Sequence, residues 1–189
     1  MVTSATRPGG DARPELRHLI VPRTARYATL GGDGPDVREL WIACHGYAEL
    51  AADFIGGLGA IAAPHRRIVA PEALSRFYVE EKIGPHGQES RVGATWMTRE
   101  DRLTEIDDYV RYLDRLHEHL SRGMTGGVAG PPRLVALGYS QGAATISRCV
   151  LISRDITTFS RNAATARKMI GTINPMPRRP RISSRLEAE

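Results

Sequence analysis

Gly138-Tyr139-Ser140-Gln141-Gly142 is the stretch of this 189-residue chain with the clearest chemical content. The apolar run Leu134-Val135-Ala136-Leu137 precedes it and suits a buried strand, and the small residues Ala143 and Ala144 follow and can open a helix. A Gly-x-Ser-x-Gly run between a strand and a helix is the pattern of a nucleophile elbow, a turn that lifts the serine hydroxyl above the sheet. Gly138 and Gly142 are expected there because so tight a turn has no room for side chains beside the serine. The N–H of Gln141 would then face the oxyanion that develops in acyl transfer. Such chemistry needs a second backbone donor, supplied from a loop after another strand. His45-Gly46-Tyr47 closes the apolar run Leu40–Cys44, so the N–H of Tyr47 is the candidate. His45, directly before Gly46 at a strand end, is expected to brace this loop by hydrogen bonds rather than to serve as a base.

The elements that must hold these residues are legible as apolar runs. Leu40–Cys44, Arg67–Ala70 and Leu134–Leu137 read as strands covered on both faces. Leu50, Phe54, Leu58 and Ile61 recur at helical spacing, although Gly56, Gly57 and Gly59 weaken that helix. Leu103, Ile106, Val110, Leu113, Leu116 and Leu120 mark the stripe of a longer helix ended by Gly123, with Thr98 and Asp101 as a capping pair. Alternating strands and helices predict an α/β fold: a mostly parallel sheet with helices on both faces. His18–Val21 and Tyr27–Leu30 predict an N-terminal hairpin around Pro22. Glu72–Thr95 reads as a long irregular connection, of the kind used as a lid or binding loop.

Taken together, Cys44-His45-Gly46-Tyr47, the run from Ala70 to Tyr78, Gly93-Ala94-Thr95-Trp96 and Gly138–Gly142 resemble the phospholipase/carboxylesterase branch of the α/β-hydrolase family, the small serine esterases. The likeness covers residues from about 17 to 150. It implies hydrolysis of carboxyl esters or acyl thioesters with no metal and no organic cofactor, on a small ester or acyl substrate. Carried over, Ser140 is the nucleophile, Tyr47 and Gln141 supply the oxyanion hole, His45, Gly46, Gly138 and Gly142 position the loops, and Phe77 and Trp96 wall the acyl pocket.

The departure from the family lies after the elbow. There the triad runs serine, acid, histidine along the chain. All six histidines of this sequence (His18, His45, His65, His86, His117 and His119) precede Ser140, and only Asp155, Glu187 and Glu189 follow it as carboxylates. His86, in the long connection, is the one histidine considered as a substitute base. Residues 1–147 carry a net charge of −1 and residues 148–189 one of +6, so the basic character belongs to the C-terminal segment. That segment shows no family pattern, which suggests a hydrolase truncated in its last third, for instance by a frameshift. The expected organisation is a flexible tail over 1–15, an incomplete hydrolase domain over 16–150 and a basic, non-family segment over 151–189. Impaired ester hydrolysis is expected, with a non-catalytic pocket-binding protein or a non-functional truncated remnant as the alternative. Scattered arginines without interleaved aromatics give no sign of specific nucleic-acid binding. Absence of strands beyond Leu134–Leu137 would leave an open apolar sheet edge and favour self-association. Cys44 and Cys149 sit in apolar settings and fit a reducing, cytoplasmic location, and neither a signal peptide nor a membrane span is expected.

Overall fold

The computed structural model describes residues 14–80, 87, 89–124 and 130–152. In chain order these form β1 (Tyr27–Gly31), β2 (Glu39–Cys44), α1 (Ala51–Gly56), β3 (Arg66–Pro71), β4 (Ser75–Tyr78), β5 (Val92–Thr95), α2 (Arg102–Gly123), β6 (Arg133–Gly138) and α3 (Gln141–Ile152). The main sheet has the order β1-β3-β2-β6. β2 runs parallel to both of its neighbours, and β1 pairs antiparallel with β3 from Tyr27↔Pro71 to Gly31↔Arg67. The fold is thus mixed α/β with a mostly parallel sheet, as the alternation of elements predicts.

Period-two alternation assigns each face its helices. Leu40, Ile42 and Cys44 of β2, with Val69 and Leu134, pack on one face against Ile106, Val110, Leu113, Leu116 and Leu120 of α2 and Cys149 of α3. Trp41 and Ala43, with Ile68, Ala70 and Leu137, meet Ala51, Phe54 and Ile55 of α1 and the following Leu58 on the other. Helices therefore cover both faces, and β2 is apolar from Leu40 to Cys44 because neither face sees water there. At the start of these strands Glu39 stands directly opposite both Arg66 and Arg133 in the sheet register. Its carboxylate pairs with both guanidinium groups, tying three strands together. The Arg66 guanidinium also lies 4.5 Å above the Trp41 ring.

Five local expectations are corrected. The N-terminal hairpin does not form: Leu19, Ile20 and Val21 are 85%, 80% and 65% exposed and belong to no strand. β1 joins β3 instead, because that pairing lays Ala28 and Leu30 on the α1 face of the core, whereas a hairpin with a Pro22 turn would leave them uncovered. The connection after Glu72 is not wholly irregular, since β4 and β5 pair antiparallel as a separate two-stranded arm. α1 stops at Gly56, and a single 3-10 turn over Gly59–Ile61 completes the path to β3. Leu103 is 77% exposed rather than part of the α2 stripe, and Thr98 bonds through its N–H and hydroxyl to Glu105, not Asp101. No helix among the described residues is long and apolar enough to cross a membrane.

Candidate functional site

In a parallel sheet, ligands favour the crevice at the carboxyl ends of the strands where the chain reverses its direction of progress. Here that point is the end of β2: the chain goes to β3 on one side by way of α1, then returns through α2 to β6 on the other. The loop after β2 and the turn after β6 meet at this place.

The turn after β6 is a strained elbow. Ser140 is exposed and adopts φ +51°, one of two non-glycine residues with positive φ among those described. That left-handed conformation costs an ordinary L-residue about 1–2 kcal/mol, so the surroundings must impose it. The two glycines show how. A Cβ at Gly138 would lie 2.5 Å from the Gly142 carbonyl oxygen and from Ala143 Cα. A Cβ at Gly142 would lie 2.1 Å from the Cys44 carbonyl oxygen. Tyr139 N–H donates to that same Cys44 oxygen at 3.0 Å, so the elbow is fastened to the end of β2. Gly142 N–H and Ala143 N–H turn back to Tyr139 and Ser140 carbonyls, while Gln141 N–H takes no acceptor among the described residues.

The loop after β2 packs on the elbow through bare backbone. A Cβ at Gly46 would sit 3.4 Å from Ser140 Cβ, 3.1 Å from the Tyr139 ring and 2.9 Å from Glu49 Oε2. Any side chain there would fill the space in front of the serine. Gly46 N–H donates to Glu49 Oε2 at 2.7 Å, which leaves Tyr47 N–H as the loop's next donor. Tyr47 is 59% exposed, and its ring lies 5.2 Å, centroid to centroid, from Phe77 of β4. Tyr139, next to the serine in sequence, is exposed as well, and the Tyr47–Phe77 ring pair adds aromatic surface to the loop after β2.

His45 is fully buried. Its Nδ1–H donates to the Gly46 carbonyl at 2.7 Å and its Nε2 accepts Ala73 N–H at 3.0 Å. Burial pushes its pKa below the ordinary histidine value, against the opposing pull of the Gly46 carbonyl and of Glu49 and Glu72. The ring is therefore neutral and has no nitrogen left for a proton from Ser140. Its buried neighbour Glu72 accepts from Arg26, Arg76 and the Ala51 N–H, and burial's upward push on its pKa is outweighed by those bonds, so it stays ionised.

Trp96 is corrected from pocket wall to core. It is 3% exposed, its ring stacks 5.2 Å from His45, and its indole N–H donates to the His45 carbonyl at 3.0 Å. An indole serves a pocket or a core equally well in sequence, and the carbonyl partner decided between them. Sequence reasoning missed Glu49, Thr95 and the side chain of Gln141. Gln141 Nε2 donates to the Met97 carbonyl and to Thr95 Oγ1, and its Oε1 accepts Trp96 N–H. The one sequence signal was the short spacing of Glu49 behind His45.

The other described histidines lie elsewhere. His18 pairs with Asp101 at 2.9 Å, and His119 contacts the Tyr27 hydroxyl at 3.3 Å. His65 sits in the turn before β3, at the opposite end of the sheet from Ser140. His86 lies outside the described residues, as do residues 1–13 and 153–189. Among the described residues no group of three or more His, Cys, Asp or Glu side chains could hold a metal ion.

No family model and no curated protein matches the sequence. Among solved structures, the chain is similar to YahD with malic acid, at 18% identity and a TM-score of 0.46, covering 68% of this chain and 57% of that one. It is similar to the esterase PE8 at 24% identity and a TM-score of 0.46, over 68% of this chain and 58% of that one. It is also similar to Zea mays acyl-protein thioesterase 2 at 16% identity and a TM-score of 0.41, over 65% and 49% respectively. The chain thus spans less than two thirds of the length of each.

Proposed function

We propose that Ser140, with the N–H groups of Tyr47 and Gln141 facing it, forms an acyl-transfer site for carboxyl esters of the phospholipase/carboxylesterase type. Its turnover in this chain is held near background because no imidazole among the described residues is bonded to the serine. The observation that carries the proposal is the strained, exposed Ser140 packed against the bare backbone of Gly46. A serine hydroxyl without a base is a weak nucleophile at neutral pH. In one well-studied serine protease, losing the base costs about 10⁶-fold in turnover, while the oxyanion hole and binding still give roughly 10³–10⁴ over water. His45 cannot fill the gap with both nitrogens engaged.

The test pairs two probes. Phenylboronic acid, which forms a tetrahedral adduct on a serine oxygen, should bind in a Ser140-dependent manner. A fluorophosphonate, which needs an activated serine, should label the protein no faster than it labels Ser140→Ala. Rapid turnover of a short-chain nitrophenyl ester that Ser140→Ala abolishes would contradict the missing base. His86→Ala in such a preparation would then ask whether His86 supplies it. The commitment of both His45 nitrogens also favours a second function, a non-catalytic protein that holds acyl groups at this site. Binding of a carboxylic ester without hydrolysis distinguishes it.

The unit carrying this site is taken as residues 16–150, with 1–15 and 151–189 as appendages. Cys44 and Cys149, both free and buried, fit a reducing compartment such as the cytoplasm. β6 pairs with β2 on one side only among the described residues, and we read its other edge as a site of self-association. Sedimentation velocity should show concentration-dependent association that Val135→Lys suppresses.

A further inference from the structure

We propose that the segment Ala94–Met97 is a single brace that sets the spacing of both oxyanion donors, with Trp96 and the Gln141 amide as its positioning residues. This rests on the acyl-transfer site proposed above and adds to it the groups that hold its two halves in register. The two donors come from elements far apart in the chain, the loop after β2 and the first residue of α3. Each donor N–H must stay within a few tenths of an ångström of its place for the hole to stabilise charge.

The segment touches both halves at once. Toward the loop, Ala48 N–H donates to the Ala94 carbonyl at 3.0 Å and Ala94 N–H to the Glu49 carbonyl at 3.2 Å, one residue and two residues beyond Tyr47. A Cβ at Gly93 would lie 2.6 Å from the Ala48 carbonyl oxygen, so the backbones meet without side chains between them. Ala48 itself is held at φ +61°, which fixes the turn that presents Tyr47. The Trp96 indole N–H then donates to the His45 carbonyl at 3.0 Å, on the other side of Tyr47. Toward the elbow, the Gln141 amide is clamped by three groups of the same segment: Trp96 N–H at 3.0 Å, Thr95 Oγ1 at 3.0 Å and the Met97 carbonyl at 2.9 Å. A half-buried amide with both ends satisfied resists displacement, because moving it would orphan donors and acceptors together. Trp96 belongs to both sets of contacts, with its backbone on the elbow and its indole on the loop.

The experiment measures the Ser140–phenylboronate adduct, in which the serine oxygen bonds to boron, boron becomes tetrahedral and anionic, and the serine proton passes to solvent. Dissociation constants come from boron NMR on wild type, Gln141→Ala, Trp96→Phe and the double variant, each referred to the folded fraction from urea unfolding. Trp96→Phe keeps the buried ring and removes only the N–H. Each single variant should weaken the adduct about tenfold, since each removes only part of the brace and a full ångström of misplacement can cost about 10²-fold. The double variant should lose less than the product of the two, since both act on one spacing. Adduct affinities within twofold of wild type, with only the unfolding midpoint lowered, would make these groups merely structural and overturn the brace. If Gln141→Ala does not fold, Thr95→Val, which removes one clamp contact, carries the same expectation. A wild type that forms no Ser140-dependent adduct defeats the acyl-transfer site itself and the brace with it. Weakening by Ser140→Ala alone, with both positioning variants unaffected, defeats only the brace.

Discussion

Gly142→Ala should be among the most damaging single methyl additions this fold can suffer, and Gly56→Ala among the most benign. At Gly142 the new Cβ would meet the Cys44 carbonyl oxygen at 2.1 Å and the His45 carbonyl oxygen at 2.6 Å. The first distance is roughly 1 Å inside ordinary contact, and both neighbours are backbone that cannot rotate away; overpacking of this kind typically costs about 1–3 kcal/mol. The same Cys44 oxygen accepts Tyr139 N–H, so relieving the clash loosens that bond as well, for about 1 kcal/mol more. A total near 3 kcal/mol follows. With a urea m-value of about 2 kcal/mol/M, the unfolding midpoint should fall by about 1.5 M. Gly56 lies in α1 with nothing within 4 Å of its Cβ position, so alanine there should raise stability by about 0.4–1 kcal/mol. Fluorescence of the buried Trp41 and Trp96 reports both transitions. A Gly142→Ala midpoint at or above that of wild type would show that β2 and α3 do not meet as described, and the account of the elbow would fall.

Ser140→Gly should be more stable than Ser140→Ala by about 0.5–1 kcal/mol, since glycine relieves the positive φ at the cost of extra chain entropy; the reverse order in urea unfolding would mean that the elbow is unstrained. For His45 the folded pKa lies below the unfolded one, so the unfolded chain binds the extra proton. Stability is full above the ordinary histidine range and should fall as pH drops below about 6.5, a slope that His45→Gln should flatten in thermal unfolding between pH 7 and 5. Glu39 behaves as a depressed carboxylate: burial raises its pKa, but hydrogen bonds from Arg66, Arg133 and Trp41 lower it to about 2. Its contribution, on the order of 3 kcal/mol, is present above the unfolded pKa near 4.5 and lost as pH falls toward 2. Acid unfolding of Glu39→Gln should accordingly be less steep in that window, and an unchanged slope would remove Glu39 from the acid transition.

What the sequence discloses about this fold depends on how local each constraint is. Gly138 and Gly142 are legible because their clashes involve the turn itself and the adjoining strand end, and the Gly-x-Ser-x-Gly spacing records both. The strands of the main sheet are legible because burial on two faces writes long apolar runs such as Leu40–Cys44. β1 was assigned to the wrong partner because Tyr27–Leu30 carries no mark of which edge it will join; β3 wins by covering Ala28 and Leu30. β4 and β5 were hidden by their shortness and by intervening glycines. Trp96 was misplaced because its polar atom finds its acceptor, the His45 carbonyl, 51 positions away. The Gln141 amide was overlooked for the same reason, since all its partners lie in another element.

The two-stranded arm of β4 and β5 is hydrogen-bonded to itself rather than to the main sheet, yet its outgoing end grips the loop and the elbow while its Phe77 lies against the Tyr47 ring. Backbone anchorage and exposed aromatic surface are thereby divided between the two strands of one hairpin. Substitutions at Phe77 can therefore reshape the ring pair with Tyr47 while the backbone bonds of Ala94 to the loop stay in place.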